Sequence, residues 1–189
     1  HHGPDTIGLW GPDMATPGVD PDYLSRLKEK VVTTALIALT KVQPAFLRCT
    51  SVQVPGVAKN ARDPAILDEE LTCLQFCHPE TSAPLATWLI YPCHPEVLWE
   101  HNPHITSDYP GPLRRVMEAE TAAPCLFMSG AIGGMMTPDV EEHSFAEAEQ
   151  MGRTLAHAAL SALSREQATP IEHLEHRRQE YSIPLTNPL

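Results

Sequence analysis

The stretch ATWLIYPCHPEVLWEHNPH, residues 86–104, decides the fold. Its first six residues are aliphatic, aromatic or β-branched, and Pro92 and Pro95 stop the run too soon for a helix, so residues 86–91 are predicted to form a buried strand. Beyond the strand the character changes. His94, Glu96, His101, His104 and Asp108 crowd one loop. A loop hung on the end of a rigid strand is where binding groups tend to be held, and imidazole with carboxylate suits zinc. A solvated loop that merely collects His, Asn and Pro is the other reading, and the residues leave both open.

Working outward, LRCTSVQV (47–54), LTCLQFC (71–77) and PCLFMSG (124–130) also read as strands. Asp20 is a good N-cap with Pro21 at the first helical position, and Leu24, Leu27, Val31, Ala35 and Ala38 then recur at three and four residues, which predicts a helix over residues 21–41. A short helix is expected over 112–119 and a long one over 144–163, where Phe145, Ala148, Met151, Leu155, Ala159 and Leu163 keep the helical period. The tail, residues 180–189, reads as a last strand running into a turn. Strands separated by helices give a single α/β domain with a mixed sheet flanked by helices. Residues 86–91 and 125–128 are expected in that sheet, covered on both faces by the two long helices, as continuous apolar strands require.

The chain has 189 residues, 42% of them hydrophobic and 20% charged, a composition that supports a sizeable core. Its formal charge of -11 and the lack of a basic block argue against a nucleic-acid partner. No apolar run approaches a membrane span. The five cysteines are an odd number in mostly strand-like contexts, so a disulfide framework is not expected. Cys73, Cys77 and His78 have the look of a metal clip, but LTCLQFC alternates as a strand does, which favours a structural role. GAIGGMMTPD, residues 130–139, follows a strand with small residues and backbone N–H groups of the sort an anion- or oxyanion-binding turn needs; a plain connection to the long helix fits the spacing equally. The chain starts at His1 with neither an initiator Met nor a signal peptide, so no compartment is read from it.

In their order along the chain, HHGPDTIGLWGP, NARDPAILDEELTCLQF, WLIYPCHPEVLWEHNPHITSDYPG, LFMSGAIGGMMTPD and SIPLTNPL resemble the catalytic domain of the neutral/alkaline, non-lysosomal ceramidase family. The first resembles the end of a His-x-His motif with His1 as its second histidine. The third places His94 where the family has a zinc ligand. The resemblance implies a zinc-dependent amidohydrolase acting on the N-acyl amide bond of ceramide or a related N-acyl lipid, with membrane contact through the substrate. It implies His94 as metal ligand and His1 one shell out, able to move a proton. Thr137 falls where the family has a serine, although GGMMTPD runs one residue longer than the family's motif, so Ser129, or no hydroxyl at all, is the alternative. Gly133 and Gly134 are implied as oxyanion donors and Arg62, in NARDP, as a substrate contact. The remaining zinc ligands of the family would lie before His1 and beyond Leu189, which makes residues 1–189 look like part of a larger catalytic domain. A ceramidase-like binding or scaffold protein without catalysis is the competing reading, suggested by Thr137 and the missing ligands, and a small structural domain with a solvated loop is a third.

Overall fold

In the computed structural model, residues 3–8, 11–100, 102–182 and 184 are described. Strands β1 (Phe46–Gln53), β3 (Glu70–Cys77), β4 (Pro84–Tyr91), β5 (Cys125–Ser129) and β7 (Thr169–Pro170) form a five-stranded sheet in the order β5-β4-β3-β1-β7. All its pairs are antiparallel except β4 with β5, which run parallel from Thr87 opposite Cys125 to Tyr91 opposite Ser129. A parallel pair needs a crossover, and α2 (Pro110–Thr121) lies within it. Two short strands absent from the sequence expectation, β2 (Ala58–Asn60) and β6 (Met136–Pro138), pair antiparallel beside the main sheet.

The core lies on one face. Leu71 and Cys73 of β3 and Leu89 and Tyr91 of β4 point inward and meet Leu113 and Met117 of α2 and Leu155, Ala156 and Ala159 of α3 (Phe145–Leu163). Each of the leucines and the methionine, once buried, contributes roughly 1.5–3 kcal/mol before the entropy of ordering it is counted, and the smaller side chains less. Ser144 caps α3 by accepting a hydrogen bond from the Glu147 amide, a contact worth about 1 kcal/mol. Two polar side chains sit within this face because they satisfy each other: Gln75 donates to Thr87 Oγ1 at 3.1 Å and accepts from Arg48 Nη1 at 2.7 Å. Gly152 brings α2 and α3 together, since a Cβ there would lie 2.6 Å from the Tyr109 carbonyl and 2.7 Å from the Leu113 amide.

The structure departs from the sequence expectation in three places. Helix α1 (Pro21–Leu39) forms where expected, with Asp20 accepting from the amides of Asp22 and Tyr23, yet it has no buried residue and does not cover the sheet. Nor is β5 covered on both faces. Its outward residues Leu126 and Met128 are 55% and 50% exposed, because only the inner face is packed by helices. In the tail, residues 180–182 and 184 are not in a strand, and the rest of 180–189 lies outside the described residues; β7 closes that edge of the sheet instead. Cys73 and Cys77 lie buried on the inner face of β3, while His78, past its end, accepts from the Glu80 and Thr81 amides, which disposes of the metal-clip reading.

Candidate functional site

Because β4 and β5 are parallel, the loops that leave their carboxyl ends emerge at the same edge of the sheet, the place where open α/β sheets bind ligands. The two loops are tied directly: the Gly130 amide donates to the Tyr91 carbonyl at 2.9 Å, and the His94 amide to the Met136 carbonyl at 3.0 Å. A third segment joins them through the β2–β6 pair, which sets Asn60 opposite Met136 and Lys59 opposite Thr137, with the Ala61 amide donating to the Met135 carbonyl at 3.0 Å. His94, the glycine turn, Thr137 and the loop of Arg62 therefore meet at one edge although they come from residues 58 to 138.

Each expected residue has a distinct setting there. His94 is half-buried on a loop whose next residues, Val97 and Leu98, are buried. Gly133 and Gly134 are exposed in a turn closed by the Met135 amide on the Ile132 carbonyl at 3.1 Å, with Met135 at φ 69°. Among the described residues neither glycine amide has an acceptor, whereas the Gly130 amide is already committed to Tyr91. Donors of this kind suit an anion or a developing oxyanion. Thr137 is buried, 9% exposed, in the strand pair, and Ser129 ends β5 opposite Tyr91. Arg62 is exposed at the rim. His104 is exposed as well, and His1 and His101 lie outside the described residues.

Several groups that shape the edge were not legible as such in the sequence. Asn60, 6% exposed, accepts from the Arg62 and Asp63 amides at 2.9 Å each and donates to the Ile66 carbonyl at 2.7 Å, so one side chain folds the whole Arg62 loop. An Asn followed two residues later by a turn is the signal for this. His143, from the segment before α3, holds the Val97 carbonyl through Nδ1 at 2.8 Å and stacks on Trp99 with ring centroids 5.3 Å apart. Trp99 itself sits at φ 55°, a backbone region that costs of order 1–3 kcal/mol for a residue other than Gly. Asp108, grouped with the loop's potential ligands on sequence grounds, is instead committed to backbone amides.

A catalytic zinc ordinarily takes three protein donors. Among the described residues no three His, Cys, Asp or Glu side chains come together in a way that would hold a metal ion. His94 and its described neighbours thus do not fit zinc by themselves. Burial also takes the nearby thiol out of play: removal from water pushes Cys93 well above the ordinary thiol range, reinforced by the carboxylates of Glu96 and Asp108.

The fold itself has a close parallel. It is ceramidase-like. The crystal structure of neutral ceramidase from Pseudomonas aeruginosa superposes with a TM-score of 0.66 over 77% of this chain, at 16% identity, and a ceramidase complexed with C2 superposes with a TM-score of 0.57 over 67%, also at 16% identity. The chain spans only 26% and 23% of those two structures. No family model matches the sequence, and no curated protein matches it.

Proposed function

We propose that this chain is part of a ceramidase-like hydrolase that cleaves the N-acyl amide bond of a lipid. The observation that carries the reading is the hydrogen-bonded convergence of the His94 loop, the Gly133–Gly134 turn and the Arg62 loop at the carboxyl edge of parallel strands. Likeness of fold to the two ceramidase structures supports it. In this reading the Gly133 and Gly134 amides receive the amide oxygen as charge develops on it, an effect worth about 2.7–4 kcal/mol for one donor. Exposed Arg62 meets the polar part of the substrate at the rim. His94 supplies one zinc ligand and the remainder come from outside the described residues; when bound, the metal would supply a polarised carbonyl and an activated water.

Hydrolysis of a labelled N-acyl sphingosine by the complete protein containing this chain, with metal content measured on the same preparation, tests the reading. Turnover that is lost on chelation and restored by zinc is the expected outcome. Tight binding of the lipid with no turnover and no metal would favour the competing reading, a ceramidase-like lipid-binding protein, for which burial of Thr137 in the β2–β6 pair is the specific observation.

A further inference from the structure

The peptide plane between Cys93 and His94 is held at both ends. Its N–H donates to the Met136 carbonyl at 3.0 Å, and its C=O accepts from the Tyr109 hydroxyl at 2.8 Å. Four residues on, the loop is gripped again. Asp108 Oδ1 accepts from the Val97 amide and Oδ2 from the Leu98 amide, both at 3.1 Å, and Oδ1 also accepts from the Tyr109 amide at 2.8 Å. We propose that Asp108 and Tyr109 are the positioning residues of the candidate site, two consecutive side chains that fix the backbone on which His94 is mounted. The proposal rests on the reading of His94 as the reactive edge's histidine, and deepens it.

Burial and anchoring make the pair suited to this. Asp108 is 2% exposed and Tyr109 fully buried, so water does not compete for their bonds, and a carboxylate buried this deeply persists only where amides satisfy it. Asp108 also sits at φ 53°, a left-handed conformation that Asp tolerates better than most residues, and its own amide is held by Thr106 Oγ1 at 3.1 Å. The Tyr109 ring stands edge-on to Phe127 of β5, with centroids 5.5 Å apart at 84°. Its carbonyl lies where Gly152 of α3 leaves room. The pair is thus fixed to the sheet and to the α2–α3 contact, and transfers that rigidity to the half-buried stretch around His94. Placement of reacting groups to a fraction of an ångström depends on support of this kind.

Tyr109→Phe removes one hydroxyl and Asp108→Asn replaces one acceptor oxygen by a donor; neither changes the packed shape. Two measurements test them against Leu155→Ala, a core variant remote from the loop. In this chain, amide hydrogen exchange should quicken at His94 in Tyr109→Phe and at Val97 and Leu98 in Asp108→Asn, and at none of these in Leu155→Ala under conditions of equal global stability. In the complete protein, kcat on the N-acyl sphingosine substrate should fall 10–100-fold per correctly folded molecule, the range typical of a lost orienting partner, with KM within threefold. Unchanged exchange at those amides, or kcat within threefold of the parent, would overturn the proposal, as would an equal loss per folded molecule in Leu155→Ala. His94→Ala separates the two failures. Full activity there overturns the reading of His94 itself, and the positioning claim with it; loss of activity there alongside an unaffected Tyr109→Phe overturns the positioning claim alone. Should the complete protein hydrolyse no N-acyl amide, the reading of its function falls while the exchange measurement still decides whether the pair holds the loop.

Discussion

His94 and His104 stand ten residues apart in one loop, and their surroundings separate them. The His94 amide is bonded to the strand that carries Thr137, and its preceding carbonyl is fixed, while His104 is exposed on a turn held by hydrogen bonds with its neighbour Asn102. In the complete protein His94→Ala is therefore expected to lower hydrolysis by more than 100-fold, beyond the 10–100-fold typical of supporting residues, and His104→Ala to change it less than threefold. Rates and metal content of the two purified variants check this. The thiols differ as sharply. Cys49 is exposed and the other four cysteines are buried, so a single equivalent of Ellman's reagent should react at pH 8 and the rest only on unfolding. Burial pushes Cys73 and Cys125 up from 9.0 to about 12, with Cys73 raised further by its neighbours Cys125 and Cys49 and Cys125 by Glu118. Above pH 9 the unfolded chain loses these protons before the folded one does. Stability is thus whole below pH 9 and declines as the pH climbs toward 12, which denaturant titrations at pH 8, 10 and 11 would trace.

At the scale of the element, the contact between α2 and α3 is constrained by Gly152. A methyl group there meets two backbone atoms that cannot rotate away, the Tyr109 carbonyl and the Leu113 amide, so Gly152→Ala should force α2 and α3 apart and destabilise by about 1–3 kcal/mol despite its better helix propensity. A fall in the midpoint of urea unfolding with an unchanged slope is the measurement that checks it. How much of this was visible in sequence follows from what each element depends on. Strand β3 was legible because burial on one face writes a period of two, β4 because its apolar run is cut short by Pro92 and Pro95, and α3 because Ala148, Met151, Leu155 and Ala159 write a period near 3.6. The cap at Asp20 acts within three residues and was plain, but the apolar stripe of α1 gave no sign that it would lie exposed. Strands β2 and β6 are three residues each and exist through their pairing with one another, which no local pattern encodes. For the site, the loop after residue 91 and the glycine turn stand out in the sequence as strand ends and small residues, while the choice of His94 within the loop comes from the family resemblance. Tyr109 does not stand out, because its hydroxyl acts on a carbonyl sixteen positions away, and Asp108 reads only as one of several acids and histidines of the loop although its oxygens serve amides.

For the whole molecule, the parallel β4–β5 pair explains why segments from residues 58 to 138 share one edge, and the helices on the inner face explain why that edge is firm. The opposite face is a different matter. Leu74 and Phe76 of β3, Trp88 and Ile90 of β4, and Leu126 and Met128 of β5 lie on it side by side, the first four partly buried and the last two exposed. The part of an apolar group that already touches water in the native state adds nothing when the chain unfolds. An ordinary protein shows a heat-capacity increment of ~12–15 cal/mol/K per residue, which for 189 residues would be about 2.3–2.8 kcal/mol/K. This chain should fall well short of that, at roughly 2 kcal/mol/K or less, and scanning calorimetry of the 189-residue polypeptide would find a value in the ordinary range only if that face were covered in solution. The consequence is a flatter stability curve. With less curvature to its free energy than an ordinary protein of its length, the protein is expected to lose its margin of stability more slowly on cooling.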